Sequence, residues 1–357
     1  MPDQPHKGRG AISRPAGRFA ARTVDPCPGE TDGDEPVAMA PETVLRPLRA
    51  RSIVSRNDSP DVPFERSINP YQGCEHGCVY CYARPSHSYL DLSPGLDFET
   101  QIFYKPNAVE LLLAEWAKPG YACKPITIGA NTDPYQPAEK KLGLTRRLLE
   151  TFLAHRHPVS LISKGVLMRR DLDLLGELAR ANLCSVAISV PTADNALKRR
   201  LEPRVPSADA RFRLMRELTG SGVPVSLLMA PIIPAVNDRE IEDIVARAAA
   251  AGAGHAGYVL LRLPHELKGM FAEWLDAHLP DRAAHVMSLV RAASGGKDYD
   301  HRFALRQTGR GPYADMIGQR FRAACRKSGI GPGRNRQGLD CGQFRQPGQR
   351  QLALTLG

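Results

Sequence analysis

The chain has 357 residues, 42% of them apolar and 24% charged, with a net charge of +10 at neutral pH. That length can bury one large α/β core with extensions, and the composition is that of a soluble globular protein with no apolar run near the roughly 20 residues a membrane span requires. The first residues are basic with no apolar segment behind them, so they do not read as a secretory signal and the expected location is the cytoplasm.

Residues 1–60 are rich in Pro, Gly, Asp and Arg without a sustained period, which predicts a mostly irregular N-terminal arm. Within it, residues 7–19 (KGRGAISRPAGRF) join several arginines to turn-forming Gly and Pro, a composition suited to holding an anion or to staying irregular.

From Ser67 onward, short apolar or β-branched runs alternate with amphipathic stretches. The predicted strands are Ser67 to Tyr71, Ile126 to Ala130, Val159 to Ser163, Cys184 to Val190, Pro224 to Ala230 and Gly257 to Leu263. Helical spacing of apolar residues fills the intervals at 108–118, 145–156, 169–182, 208–222 and 239–252, several ending in Gly or Asn. Six strand–helix units in series specify a parallel sheet with right-handed crossovers. Each strand runs into a polar or Gly/Pro-rich segment at its C-terminal end, which favours a partial, laterally open (β/α)6 TIM-like barrel over a doubly wound sheet, because βα loops of a barrel share one face. This core spans residues 61–285.

The remaining 286–357 form a basic C-terminal extension with 13 Lys+Arg against 4 Asp+Glu, nearly all of the chain's positive excess. One helix is predicted there, Tyr313 to Lys327. Such a patch can meet phosphates or simply be a solvated tail.

Eight cysteines are too few for a disulfide scaffold. Cys74, Cys78 and Cys81 fall within eight residues as Cys-x3-Cys-x2-Cys, while Cys27, Cys123, Cys184, Cys325 and Cys341 are dispersed, Cys184 reading as core and Cys341 as tail. Gly73, Gly77, Pro70 and Pro85 make the trio a loop rather than a helix face. Three thiolates without a fourth leave one iron of a cubane open to a substrate or cofactor, whereas a structural zinc normally takes four protein ligands. A zinc site completed by His76 or His87 is the competing reading.

The loop NPYQGCEHGCVYCYARP, placed directly after a first strand and carrying Tyr80 just before its last cysteine, resembles the radical SAM superfamily. With NTDPYQPAE at the second strand tip, the chain is similar to the spore photoproduct lyase-related group, often labelled DNA repair photolyase, over about residues 40–330. Its KGRGA and GRF stretches resemble an uncharacterised bacterial branch of that group. The resemblance implies one [4Fe-4S] cluster on Cys74, Cys78 and Cys81, with S-adenosylmethionine (SAM) chelating the open iron. Reductive cleavage would then give a 5′-deoxyadenosyl radical that abstracts hydrogen from substrate. It further implies an external electron donor of flavodoxin or ferredoxin type. Tyr80 would pack beside the adenine, Asn131, Thr132 and Asp133 would hold the methionyl ammonium, Lys164 would pair with the SAM carboxylate, and Ser189 would bond the ribose. Gln136 and Glu139 would support that loop, and Ile232 and Ile233 would line the adenine slot.

One departure stands out. Photoproduct lyases place a hydrogen-donating cysteine near the tip of the second strand, where this chain has Ala130 or Asn131. The substrate is therefore expected to be a nucleic acid, a nucleotide or another small polar molecule, with thymine-photoproduct repair doubtful. The alternative class is a zinc-stabilised nucleic-acid-binding module without catalysis, its basic C-terminal segment gripping phosphate.

Overall fold

A computed structural model describes residues 5–19, 41–333 and 338–348; Cys27 lies outside them. Among the described residues the β-branched and apolar runs form β1 (Val44–Pro47), β2 (Val54–Arg56), β3 (Arg66–Ile68), β4 (Tyr71–Gln72), β5 (Gln101–Tyr104) and β6 (Ile126–Ile128). They continue as β7 (Val159–Ser163), β8 (Cys184–Ser189), β9 (Val225–Ile232), β10 (His255–Leu260) and β11 (Gly331–Pro332).

Eight of these make one sheet in the order β11-β10-β9-β8-β7-β6-β3-β2. The six expected strands, β3 and β6 to β10, lie side by side in chain order and run parallel. β2 adds an antiparallel edge beside β3, and β11 a parallel edge beside β10. Among the described residues these two edges do not pair with each other, and the mixed α/β architecture with its parallel sheet is in keeping with a partial TIM-like barrel. Both edge strands fall where sequence periodicity is too short to show them. A small second sheet, β1-β5-β4, stands beside the cysteine loop.

The helices Leu144–Ala154, Leu172–Arg180, Ala208–Gly220 and Ile241–Ala250 fall in the intervals expected of crossovers. Their buried faces, Leu148, Leu175, Phe212 and Ile244 among them, close on Ile128, Leu161, Ile188 and Leu227 of the sheet in one continuous core. Burying each such side chain contributes about 1.5–3 kcal/mol. Side-chain caps fix two helix starts: Asp194 accepts from the backbone N–H groups of Ala196 and Leu197 at 2.7 and 3.2 Å, and Ser207 from Ala210 at 3.3 Å. The expected C-terminal helix is present as Pro312–Lys327, with Arg320 paired to Glu242 of the preceding crossover helix at 2.7 Å.

Two segments without regular structure are nevertheless fixed. Residues 338–348 close the end of the sheet where the strands begin: Asp340 donates its N–H to the Asn182 carbonyl, Arg345 to that of His155, and Phe344 packs edge-on against Trp116 and His157. At the opposite end, residues 9–11 run against the cysteine loop. Gly10 and Ala11 donate backbone N–H groups to the Glu99 carboxylate at 3.0 and 2.8 Å, and the Arg9 guanidinium reaches the Glu99 carbonyl at 3.0 Å. A Cβ on Gly10 would lie 1.8 Å from the Gly77 carbonyl oxygen, so only glycine permits this approach.

The Glu99 carboxylate is also bonded to the Arg84 guanidinium, and both side chains are fully buried. Removing one partner of a buried pair strands the other charge. Glu99→Gln should therefore lower the free energy of unfolding by about 3 kcal/mol or more, read from urea denaturation; an unchanged midpoint would mean that the pair and the strap it holds contribute nothing.

Candidate metal and cofactor site

The cysteine loop follows β4 and is held from several sides. Cys74 donates its N–H to the Phe98 carbonyl at 2.8 Å, Val79 to Leu201 at 3.1 Å and Cys81 to Cys78 at 3.2 Å. Gln136 clamps the start of the loop, accepting from the Glu75 N–H at 3.0 Å and donating to the Gly73 carbonyl at 3.1 Å. Arg84 donates to the Cys78 carbonyl at 2.9 Å. Gly77 sits at φ +67°, in the left-handed region, and a Cβ there would meet the Glu99 carboxylate at 2.7 Å.

The loop forms one wall of a cavity of about 440 Å3 at the C-terminal ends of the parallel strands. Cys74, Cys78, Cys81, Tyr80, Asn131, Asp133, Lys164 and Ser189 all line it. Thr132 does not: its hydroxyl donates to the Tyr71 carbonyl at 2.8 Å and its residue is buried, so it shapes the strand tip. Ile232 and Ile233 are likewise in the packed interior, and the cavity wall at this strand is made by Ala230 and Pro231. The Asn131 side chain has no partner among the described residues, its backbone N–H being tied to Asn69 at 2.8 Å.

Asp133 is already engaged. It accepts from the Ser163 hydroxyl at 2.6 Å, the Lys164 N–H at 2.7 Å and the Tyr135 N–H at 2.9 Å. His76 Nδ1 lies 3.3 Å from Oδ2, the oxygen that also takes the Lys164 N–H, an ion-pair distance without hydrogen-bond alignment. Burial alone would raise its pKa, but His76, Ser163 and the Lys164 N–H outweigh it and bring the carboxyl to about 2.

The three thiols are pushed above the ordinary thiol range chiefly by burial, with Asp133 adding to the effect at Cys74 and Glu202 at Cys78. Thiols so placed become thiolates when a cation sits among them. Lys164 lies beside them, its ammonium 5.8 Å from the Tyr80 ring centroid and 4.0 Å from Glu202. Burial would lower its pKa; Cys78, Glu202 and Asp133 more than offset this, so the ammonium stays charged.

Glu202 was not legible in the sequence. Its fully buried carboxylate accepts from the Tyr80 hydroxyl and from Arg211 at 2.9 Å, and Arg211 also donates to the Ser189 carbonyl at 2.7 Å. One acidic side chain thus ties together the tyrosine, the lysine and the strand end expected to contact SAM. It lies 124 residues from Cys78 in a basic stretch, with no motif to mark it.

The histidines weighed as zinc ligands are placed otherwise. His76 faces Asp133, and His87 is bonded to the Gln101 carbonyl at 3.0 Å outside the cavity. Among the described residues no group of three His, Cys, Asp or Glu side chains gathers closely enough for a single metal ion. A cube that binds each thiolate at a different iron spaces them more widely.

A family model for the radical SAM superfamily matches residues 68–248. An uncharacterised protein of Mycobacterium tuberculosis is 35% identical over 232 residues, 64% of this chain and 68% of the relative. Another, from Methanocaldococcus jannaschii, is 28% identical over 173 residues, 48% of this chain and 62% of the relative. Among solved structures, a spore photoproduct lyase double variant with bound AdoMet and dinucleoside spore photoproduct superposes with a TM-score of 0.61 at 15% identity, covering 87% of each chain. A single variant of that enzyme gives 0.60 at 15% identity over 88% of each. At this identity the likeness is one of fold.

The Asp133 environment predicts an acid dependence. A folded pKa of about 2, below the ordinary 3.8, contributes stability that is present above the unfolded pKa and lost as pH falls through the folded one. The stability gap between wild type and Asp133→Asn should shrink by about 2 kcal/mol between about pH 4 and about pH 2, measured by urea denaturation across that range. A gap independent of pH would contradict the assigned environment.

Proposed function

The chain belongs to the radical SAM superfamily, and on that premise we propose that Cys74, Cys78 and Cys81 hold three irons of a [4Fe-4S] cluster whose fourth iron takes SAM. It is a radical SAM enzyme, and the observation that carries the residue assignment is that these three thiols, Cys74 and Cys78 buried and Cys81 partly so, line one cavity together with Lys164 and Asn131. The donor set suits the cluster: three thiols that burial keeps protonated unless a strongly cationic group lies among them, with His87 outside the cavity and His76 facing Asp133. When bound and reduced, by a donor of flavodoxin or ferredoxin type, the cluster supplies the electron that cleaves SAM to a 5′-deoxyadenosyl radical.

The chain's own groups position and shield. Lys164 presents its ammonium to the SAM carboxylate, held in place by Glu202 and the Tyr80 face. Asn131 offers an uncommitted amide to the methionyl ammonium. Asp133, with its oxygens taken by Ser163, Lys164 and Tyr135, acts by fixing the Lys164 backbone and adding negative potential. The Ser189 hydroxyl, 3.3 Å from the Ala230 carbonyl, can turn to a ribose oxygen. Apolar wall residues Val62, Phe64, Leu228 and Val259 keep water from a reactive carbon radical.

The substrate we favour is of the nucleotide or nucleic-acid class. The fold shared with spore photoproduct lyase, solved with a dinucleoside photoproduct, supports that reading. Ala130 or Asn131, both in the wall, stands at the place where that group carries a hydrogen-donating cysteine, which supports a reaction other than its repair.

Anaerobically prepared protein should be brown, contain about four irons per chain and release 5′-deoxyadenosine when reduced with SAM. Cys78→Ala should lose the iron absorbance and the product together. Iron content unchanged in that variant would defeat the ligand assignment, and a colourless protein holding one zinc would defeat the cluster.

A further inference from the structure

Besides thiols and tyrosines, five ionisable side chains line the cavity: His76, Asp133, Lys164, Arg262 and Arg306. Four have partners. His76 and Asp133 face each other, Lys164 faces Glu202, and Arg306 is bonded to the Asp61 carboxylate and the Ser59 hydroxyl. Arg262 differs: among the described residues it has no hydrogen-bond acceptor and no ion pair, and its Nε is buried without a partner.

Its guanidinium stands over the face of Tyr82, whose ring centroid lies 5.1 Å from the guanidinium carbon. A ring face attracts the charge but accepts none of the directed N–H bonds of a guanidinium in the way a carboxylate does. The segment just beyond β10 that carries Arg262 is not free to carry it elsewhere, because Leu261 donates its N–H to the Ile232 carbonyl at 2.9 Å. The one carboxylate in the lining, Asp133, already accepts three hydrogen bonds from its own strand tips. The chamber therefore contains a held, partly shielded cation with no internal counter-charge, and a buried donor left unpaired is costly.

We infer that Arg262 is an oxyanion subsite of the substrate chamber, taking a phosphate or carboxylate group of the substrate through its planar fork. This rests on the reading of the cavity as the catalytic chamber. It is distinct from the expected place of the SAM carboxylate: Lys164 is surrounded by Cys78, Glu202, Asp133 and Cys81, whereas Arg262 makes no hydrogen bond or ion pair with any of them and stands over Tyr82. A bidentate fork favours a planar or tetrahedral oxyanion over a neutral isostere, so the enzyme selects charged substrates and rejects uncharged nucleosides of the same shape.

The test titrates reconstituted holoenzyme, saturated with SAM, with two matched pairs of ligands: a dinucleoside monophosphate against its uncharged methylphosphonate analogue, and an N-acetylated amino acid against its amide. In wild type at least one anion should bind about tenfold or more tightly than its neutral partner, and the pair that discriminates tells phosphate from carboxylate. That preference should vanish in Arg262→Gln and survive in part in Arg262→Lys. No charge preference in either pair, absence of binding included, would overturn the assignment, as would a preference that Arg262→Gln retains. The charged-against-neutral comparison in wild type needs no variant to fold. Iron content and 5′-deoxyadenosine release, measured on the same wild-type preparation, report separately on the chamber itself.

Discussion

A loop that turns three thiols into one cavity must be held rigid without help from regular structure, and here a single buried carboxylate anchors it on two sides. Glu99 bonds to Arg84 behind the loop and to the backbone of Gly10 and Ala11 in front of it. Arg84 in turn donates to the Cys78, Pro94 and Gly95 carbonyls. With the charges of Glu99 and Arg84 cancelled and most of their hydrogen-bonding capacity used, their burial costs far less than that of either alone. The loop, the small sheet and the N-terminal strap thereby share one polar centre.

On the other side of the cysteines the same logic recurs with a different purpose. Glu202 sits between Arg211, Lys164 and the Tyr80 hydroxyl, and its carboxyl is held below the usual range because burial, which would raise it, is outweighed by Arg211 and Lys164. This arrangement keeps an ammonium charged beside the place where an anionic cofactor group is expected. It also sets the tyrosine ring as a wall rather than a mobile side chain. The Glu202 network is built from side chains far apart in sequence that converge because the sheet brings the ends of β7 and β8 and the following helices to one rim.

Much of this was written in local pattern. The strand periods of Val159–Ser163 and Cys184–Ser189, the amphipathic crossovers and the Cys-x3-Cys-x2-Cys spacing are short-range signals, and the resulting sheet order follows from them. Asn131, Asp133, Lys164 and Ser189 were legible because each ends a predicted strand, where a barrel opens. What escaped is what depends on distance. β2 and β11 are two or three residues long and defined only by their partners. Thr132 and Ile232 lie beside the cavity in sequence but turn into the packed interior. Glu202, Arg211 and Arg262 carry no motif, and the ordered course of residues 9–11 becomes intelligible only when Glu99 is seen beneath it.

The span of the cavity wall in the chain has a consequence for how the protein is made. Its lining begins at Asn57 and ends at Gln307, with the three thiols near the start. On a ribosome adding roughly 5–20 residues per second, the cysteines emerge on the order of tens of seconds before Arg262, Arg306 and Gln307. During translation the sulfurs are thus open to solvent from the side that the finished molecule encloses, and on the proposed ligand assignment this would give iron delivery an unobstructed interval before the last wall arrives.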